Sequence, residues 1–158
     1  MKTIFLLDLV YIAGFLDGDG SIFAQLVRSK DYKWGFTVRV TVLFTQPTKR
    51  IAFLNQLLET IGVGYIRTKG KANASVSDYV ITDVSHVYQL LVQLQPFLKI
   101  KQKQANLVIR LIEQMPLAKK SKDVFIQQAL LVDQIAALND SKTRRNTSQT
   151  VMQHLSKK

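Results

Sequence analysis

Between Trp34 and Thr45 the chain alternates without a break. Trp34, Phe36, Val38, Val40, Val42 and Phe44 fall on one side; Gly35, Thr37, Arg39, Thr41, Leu43 and Thr45 fall on the other. A period of two marks a strand with one buried face. The mostly polar second face suits an antiparallel sheet that is wet on one side. Gly20 to Ser29 repeats the pattern more weakly, with Ser21, Phe23, Gln25, Val27 and Ser29 opposite Ile22, Ala24 and Leu26. The loop Lys30-Asp31-Tyr32-Lys33 joins the two. Two shorter strands are predicted: Tyr65 to Lys69, with Tyr65, Arg67 and Lys69 on one face, and Val76 to Thr82 beyond a turn at Gly70 to Ser75. The spacing becomes helical from about Leu7 to Asp17. It does so again from Lys49 to Ile61, where Thr48 after Pro47 is the expected N-cap and Gly62 and Gly64 end the helix. Helices over Ser85 to Leu94, Gln102 to Met115 and Lys122 to Leu138 follow, then a weaker one after Asn146, with Pro96 and Pro116 as punctuation.

The order α-β-β-α-β-β-α plus extra helices predicts an α+β fold, a four-stranded antiparallel sheet with helices on one face. No repeat, low-complexity stretch or linker divides the 158 residues, so one domain over 1–158 is expected. The open sheet face would show Gln25, Ser29, Thr37, Arg39, Arg67 and Lys69. Such side chains suit readout of base edges in a major groove; the plainer alternative is a solvated surface.

Charge shifts the balance towards readout. Lys and Arg number 22 against 11 Asp and Glu, a net charge of +11, which favours a polyanionic partner, nucleic acid ahead of membrane. There is no cysteine, and His86 and His154 are the only histidines. Disulfides, thiolate sites and multi-histidine zinc sites are thereby excluded, which leaves carboxylates and a hard cation such as Mg²⁺. Lys2 and the apolar run from Ile4 to Phe15 imitate a signal peptide. Asp8 interrupts that run, and an acidic, Gly-rich segment stands where a cleavage site should be. No apolar run is long enough to span a membrane, and no Arg/Ser-rich transit segment is visible. The expectation is a protein that works in the compartment where it is made.

The segment Tyr11-Ile12-Ala13-Gly14-Phe15-Leu16-Asp17-Gly18-Asp19-Gly20 drives an apolar helix into two carboxylates. A helix C-terminus carries partial negative charge and favours cations, so paired acids there imply a bound cation. An EF-hand is excluded, because Ile22 and Arg28 stand where its loop requires Gly and Glu. Ala13, Gly14 and Gly18 place small residues where two helix backbones could approach closely. If the helix packs on a copy of itself, two Asp19 side chains meet near a twofold axis. Metal ions would neutralise that pair, and metals about 4 Å apart, or one shared, are used in phosphodiester hydrolysis.

Ala13-Gly14-Phe15-Leu16-Asp17-Gly18-Asp19-Gly20 resembles the motif of the LAGLIDADG homing endonucleases. The resemblance extends through Gly62-Val63-Gly64-Tyr65, Ser77-Asp78-Tyr79, Gln95 to Asn106 and Val132 to Thr143, and so over nearly the whole chain. It is strongest to the single-motif, homodimeric members encoded in chloroplast introns of green algae. It implies a chloroplast-encoded endonuclease, dependent on Mg²⁺ (with Mn²⁺ able to substitute), that cuts double-stranded DNA at a long pseudo-palindromic site and leaves 3′ overhangs. Asp19 would be the metal-binding catalytic carboxylate, joined by the Gly18 carbonyl, with Asp17 a structural partner. Gln46 would position solvent, and Arg50 and Lys101 would support the transition state near the scissile phosphate. Ala13, Gly14 and Asp17 would lie at the dimer interface.

The resemblance also places Phe23, Gln25, Val27, Ser29, Tyr32, Thr37, Arg39, Leu43, Arg67, Lys69 and Val80 against DNA. Arg39, Arg67 and Lys69 are the candidates for guanine, and Ser141, Lys142 and Arg145 those for phosphates. The turn Lys71-Ala72-Asn73-Ala74 is longer than close relatives suggest. An RNA-binding intron maturase is the alternative; the joint presence of Asp19, Gln46, Arg50 and Lys101 argues against it.

Overall fold

The computed structural model describes residues 1–71, 75–139 and 143–157. Helix α1 (Leu6–Asp19) leads into β1 (Gly20–Arg28) and β2 (Phe36–Pro47). A 3-10 turn (Thr48–Arg50) opens α2 (Ile51–Ile61), and β3 (Tyr65–Lys69) and β4 (Val76–Ile81) follow. The chain closes with α3 (Val84–Leu94), a 3-10 turn (Gln95–Phe97), α4 (Gln102–Ala118), α5 (Lys122–Leu138) and α6 (Ser148–Ser156). The strands form one antiparallel sheet in the order β1-β2-β4-β3, as the α+β reading requires.

The period-two pattern decides the sheet's two faces. Ile22, Ala24 and Leu26 of β1, Phe36 to Phe44 at alternate positions of β2, and Tyr79 and Ile81 of β4 are buried beneath the helices. They join Ile12, Leu16, Leu54, Leu90, Leu94, Val108, Val132 and Ile135 in one core. Under α1 an aromatic ladder runs from Phe53 through Phe15 and Phe44 to Tyr79. Across the open face the register sets Ser21, Leu43, Val80 and Tyr65 in one row and Thr45, Asp78 and Arg67 in the next.

Four local expectations need correction. The first helix runs two residues further, so Asp17 and Asp19 both lie inside it. Trp34 precedes the strand: Gly35 adopts φ +79° in the turn, and the indole Nε1 donates to the Ala118 carbonyl at 2.8 Å, satisfying the end of α4. Thr48 is not a side-chain cap; its hydroxyl meets Ser77 Oγ at 3.0 Å. Pro116 lies within the last turn of α4, which continues to Ala118.

Candidate functional site

The two motif carboxylates part company in the fold. Asp17 is 9% exposed. Its Oδ2 accepts the Lys99 backbone N–H at 2.7 Å, and its Oδ1 accepts that of Lys101 at 2.9 Å. Burial pushes this carboxyl up, but the N–H groups of Lys99, Lys101 and Ile100 and the charge of Lys101 outweigh it and hold it below the ordinary carboxylate range. Asp17 is therefore a clamp that fastens the segment before α4 onto the end of α1. Lys101 completes the clamp, its Nζ donating to the Asp17 carbonyl. This lysine thus neutralises the negative end of the helix.

Asp19 is exposed. Gln46 Nε2 donates to its Oδ2 at 2.7 Å, and Arg50 Nη1 donates to Gln46 Oε1 at 3.1 Å. The last turn of α1, the end of β2 and the following 3-10 turn thus converge on one carboxylate. Gln46, 5% exposed, is oriented by both neighbours. Beside Asp19, a Cβ built on Gly18 would meet nothing within 4 Å, so the backbone there is open to an incoming group. Carboxylate and carbonyl oxygens are the donors of a hard cation. Among the described residues no three His, Asp or Glu side chains are grouped to hold a metal ion.

The sheet's open face carries the remaining candidates. Gln25 and Arg39 are exposed cross-strand partners; Phe23, Val27, Thr37 and Leu43 are half-buried, and Ser29 and the exposed Tyr32 flank the β1–β2 turn. Val80 needs correction. It is on the expected face but only 1% exposed, covered by the row Leu43–Val80–Tyr65, so it presents no surface of its own. Arg67 and Lys69 are exposed but tethered: Asp78 Oδ2 lies 3.1 Å from Arg67 Nε and 2.7 Å from Lys69 Nζ. Thr45 Oγ1 donates to Asp78 Oδ1 at 2.7 Å. Burial raises the Asp78 carboxyl, but hydrogen bonds from Lys69, Thr45 and Arg67 outweigh it and lower it below its usual range.

Arg145 is exposed beside a groove of about 1030 Å³ along the outer edge of β1, which Arg28, Lys101 and Arg144 also line. Ser141, Lys142 and the centre of the 71–74 turn lie outside the described residues. Sequence reasoning missed Asp78 and Arg28, whose partners are revealed only by strand pairing and by the groove.

The helix-contact residues also need correction. Ala13 is fully buried in this chain's own core, and Asp17 is occupied by the clamp. Of the three residues expected at an interface, only Gly14 is exposed. It shares the outer face of α1 with Leu7 (83% exposed), Val10, Tyr11 and Gly18. The small residues that share the exposed face are Gly14 and Gly18; Ala13 is rotated about 100° from Gly14, given 3.6 residues per turn.

Asp17 and Asp78 predict an acid response. Both carboxyls titrate lower in the folded chain than in the unfolded one. The stability they confer is complete above the unfolded carboxylate range and is lost as pH falls through that range towards their folded values. Urea midpoints measured from pH 7 down to 3 should fall steeply. Asp17→Asn should flatten the fall and cost about 1–3 kcal/mol at neutral pH; an unchanged profile in that variant would remove Asp17 from the account.

Comparison with known proteins identifies the family. The family model described as LAGLIDADG endonuclease matches residues 12–107. The DNA endonuclease I-CreI of Chlamydomonas reinhardtii is 54% identical over 143 residues, 90% of this chain and 85% of that protein. I-CvuI of Chlorella vulgaris is 33% identical over 151 residues, 96% and 91% of the two chains. The structure of I-CvuI in complex with a DNA target in the presence of Mg superposes with a TM-score of 0.87 at 32% identity, covering 96% of this chain and 94% of that one. The intron-encoded I-CeuI, complexed with DNA, shares the fold at a TM-score of 0.82 and 16% identity, covering 98% of this chain and 79% of that one. The chain belongs to the LAGLIDADG endonuclease family.

Proposed function

We infer that the protein is a site-specific DNA endonuclease that acts as a homodimer with a divalent metal, Mg²⁺ by preference and Mn²⁺ as a substitute. The observation that carries this reading is the end of α1, where an exposed Asp19 held by Gln46 and Arg50 stands on a helix whose apolar outer face is largely exposed among the described residues. A bound cation would supply a water nucleophile at neutral pH and neutralise charge on the scissile phosphate. Asp19 and the Gly18 carbonyl would hold it. Gln46 orients solvent beside it, while Arg50 and Lys101 offer positive charge to the phosphate as its charge grows. A second copy packed on α1 would bring its own Asp19 to the other strand, complete the coordination sphere and align two sheets along a long, nearly palindromic duplex.

On that duplex Arg39, Arg67 and Lys69 face base edges and Arg145 faces phosphates, a role that the family resemblance also assigns to Ser141 and Lys142. The resemblance and the algal relatives support cleavage to short 3′ overhangs and a role in intron homing in the chloroplast. The test is incubation with a randomised duplex library and Mg²⁺, followed by sequencing of the cleaved ends. Symmetric, staggered cuts at one consensus are expected; an uncut library under conditions where the protein is folded would overturn the reading.

Asp78 sets the pose of two base-facing cations. Asp78→Asn removes the charge that draws Arg67 and Lys69 together yet keeps the side chain's volume. The same library should then show relaxed preference at the base pairs they face, by about tenfold, with other positions unchanged. An identical consensus would show that Asp78 acts only in folding.

A further inference from the structure

We propose that Asn139 and Asn146 are positioning residues that hold the end of α5 and the arginines Arg144 and Arg145 in fixed register with the base-facing strand β1; this rests on the DNA-endonuclease reading. β1 is an edge strand, so its outer carbonyls lack a strand partner. Two of them are taken by side-chain amides. Asn139 Nδ2 donates to the Ile22 carbonyl at 2.8 Å, and Asn146 Nδ2 donates to the Leu26 carbonyl at 2.9 Å. The two acceptors lie four residues apart, about 13 Å along a strand. Between them on the open face stand Phe23 and Gln25. Between the two asparagines in the chain stand Arg144 and Arg145, which line the basic groove with Arg28 and Lys101.

Both anchors are themselves held. Gln104, 7% exposed, donates from Nε2 to Asn139 Oδ1 at 3.3 Å and to the Leu138 carbonyl at 3.4 Å. It lies one turn beyond Lys101, so the same contact ties the catalytic end of α4 to the end of α5. At the other end, Arg144 Nη2 donates to the Asn146 carbonyl at 3.3 Å, and Arg144 Nη1 pairs with Asp133 Oδ1 at 2.6 Å. Ser148 donates its backbone N–H and hydroxyl to Asp133. Blunting an edge requires only a charge or a covering loop. Two amides that take carbonyls four residues apart on β1, one at the end of α5 and one beside Arg144 and Arg145, do something more. They fix where phosphate contacts fall relative to the bases read by β1, and the ordering cost is met before DNA arrives.

The experiment uses the full chain, Asn139→Ala and Asn146→Ala, and a duplex of the consensus selected from the library. Three quantities are measured: binding by anisotropy between 50 and 200 mM salt, single-turnover cleavage at saturating protein, and the urea midpoint without DNA. Each variant should bind about fivefold to thirtyfold more weakly and cleave at saturation within about threefold of the unchanged protein. Unchanged affinity with a lowered urea midpoint would reduce the asparagines to edge protection and overturn the proposal. A saturating rate that falls as far as affinity would overturn it too, by placing them in the chemistry. Should one variant fail to fold, the other and Gln104→Ala, which loosens the Asn139 anchor and leaves that of Asn146 in place, decide the matter. If the unchanged protein itself neither binds nor cuts DNA, it is the underlying endonuclease reading that fails.

Discussion

Asp19→Asn is expected to abolish cleavage, lowering the single-turnover rate on the order of a thousandfold or more, while target affinity stays within about threefold. The substitution keeps side-chain volume and an oxygen that can accept the Gln46 Nε2 bond, now 2.7 Å long, so the Asp19–Gln46–Arg50 chain persists. What disappears is the negative charge, the only reason to place an acid at the negative end of a helix. Two neutral amide oxygens hold a divalent cation far more weakly than a carboxylate and a carbonyl do, and a bound cation would supply both nucleophile and charge neutralisation. Binding survives because phosphate contacts elsewhere are untouched and one repulsive charge has gone. The measurement is cleavage of a consensus duplex in Mg²⁺ beside anisotropy in Ca²⁺. Cleavage at the unchanged rate would show that Asp19 does not hold the metal.

The contrast with Asp17 shows what could be read from the chain and what could not. The two acids are two residues apart, and local chemistry treats them alike. They separate only because the segment around Lys101, 84 residues downstream, folds back to donate two N–H groups to Asp17 and none to Asp19. The strict alternation of β2 was legible because the sheet buries one whole face. The same rule misplaced Trp34, whose alternation is real but whose ring serves α4 rather than the strand. Gln46, Arg50 and Lys101 are ordinary surface types by composition; resemblance to a family singled them out, and tertiary contacts unite the first two with Asp19. Asp78 and Asn139 lie in segments that resemble the family, but no local signal marked their roles or that of Asn146. Their partners lie on other strands and helices, and no periodicity encodes a side-chain bond across the fold.

Gly14→Leu is expected to dissociate the protein and with it to remove double-strand cleavage. Within one chain the position is permissive: nothing lies within 4 Å of a built Cβ, and the residue is exposed mid-helix. Replacing a helical glycine should stabilise the monomer by up to about 1 kcal/mol. A fold-only view therefore predicts a more stable, fully active enzyme. The dimer reading predicts the reverse. Leu7, Val10 and Tyr11 form an apolar face that stays largely exposed among the described residues, with only the Tyr11 ring meeting Phe53 at its edge, and Gly14 and Gly18, one turn apart, would let the partner's backbone approach. Twofold symmetry presents each substitution twice. Overpacking costs about 1–3 kcal/mol per site, so the dimer should weaken by about 2–6 kcal/mol, or thirtyfold to ten-thousandfold. Sedimentation should then show a monomer at micromolar concentration with a urea midpoint at or above that of the unchanged chain, and the consensus duplex should remain uncut. A dimer that persists and cuts would show that the two chains meet elsewhere than on α1, and that each Asp19 reaches its strand by another arrangement.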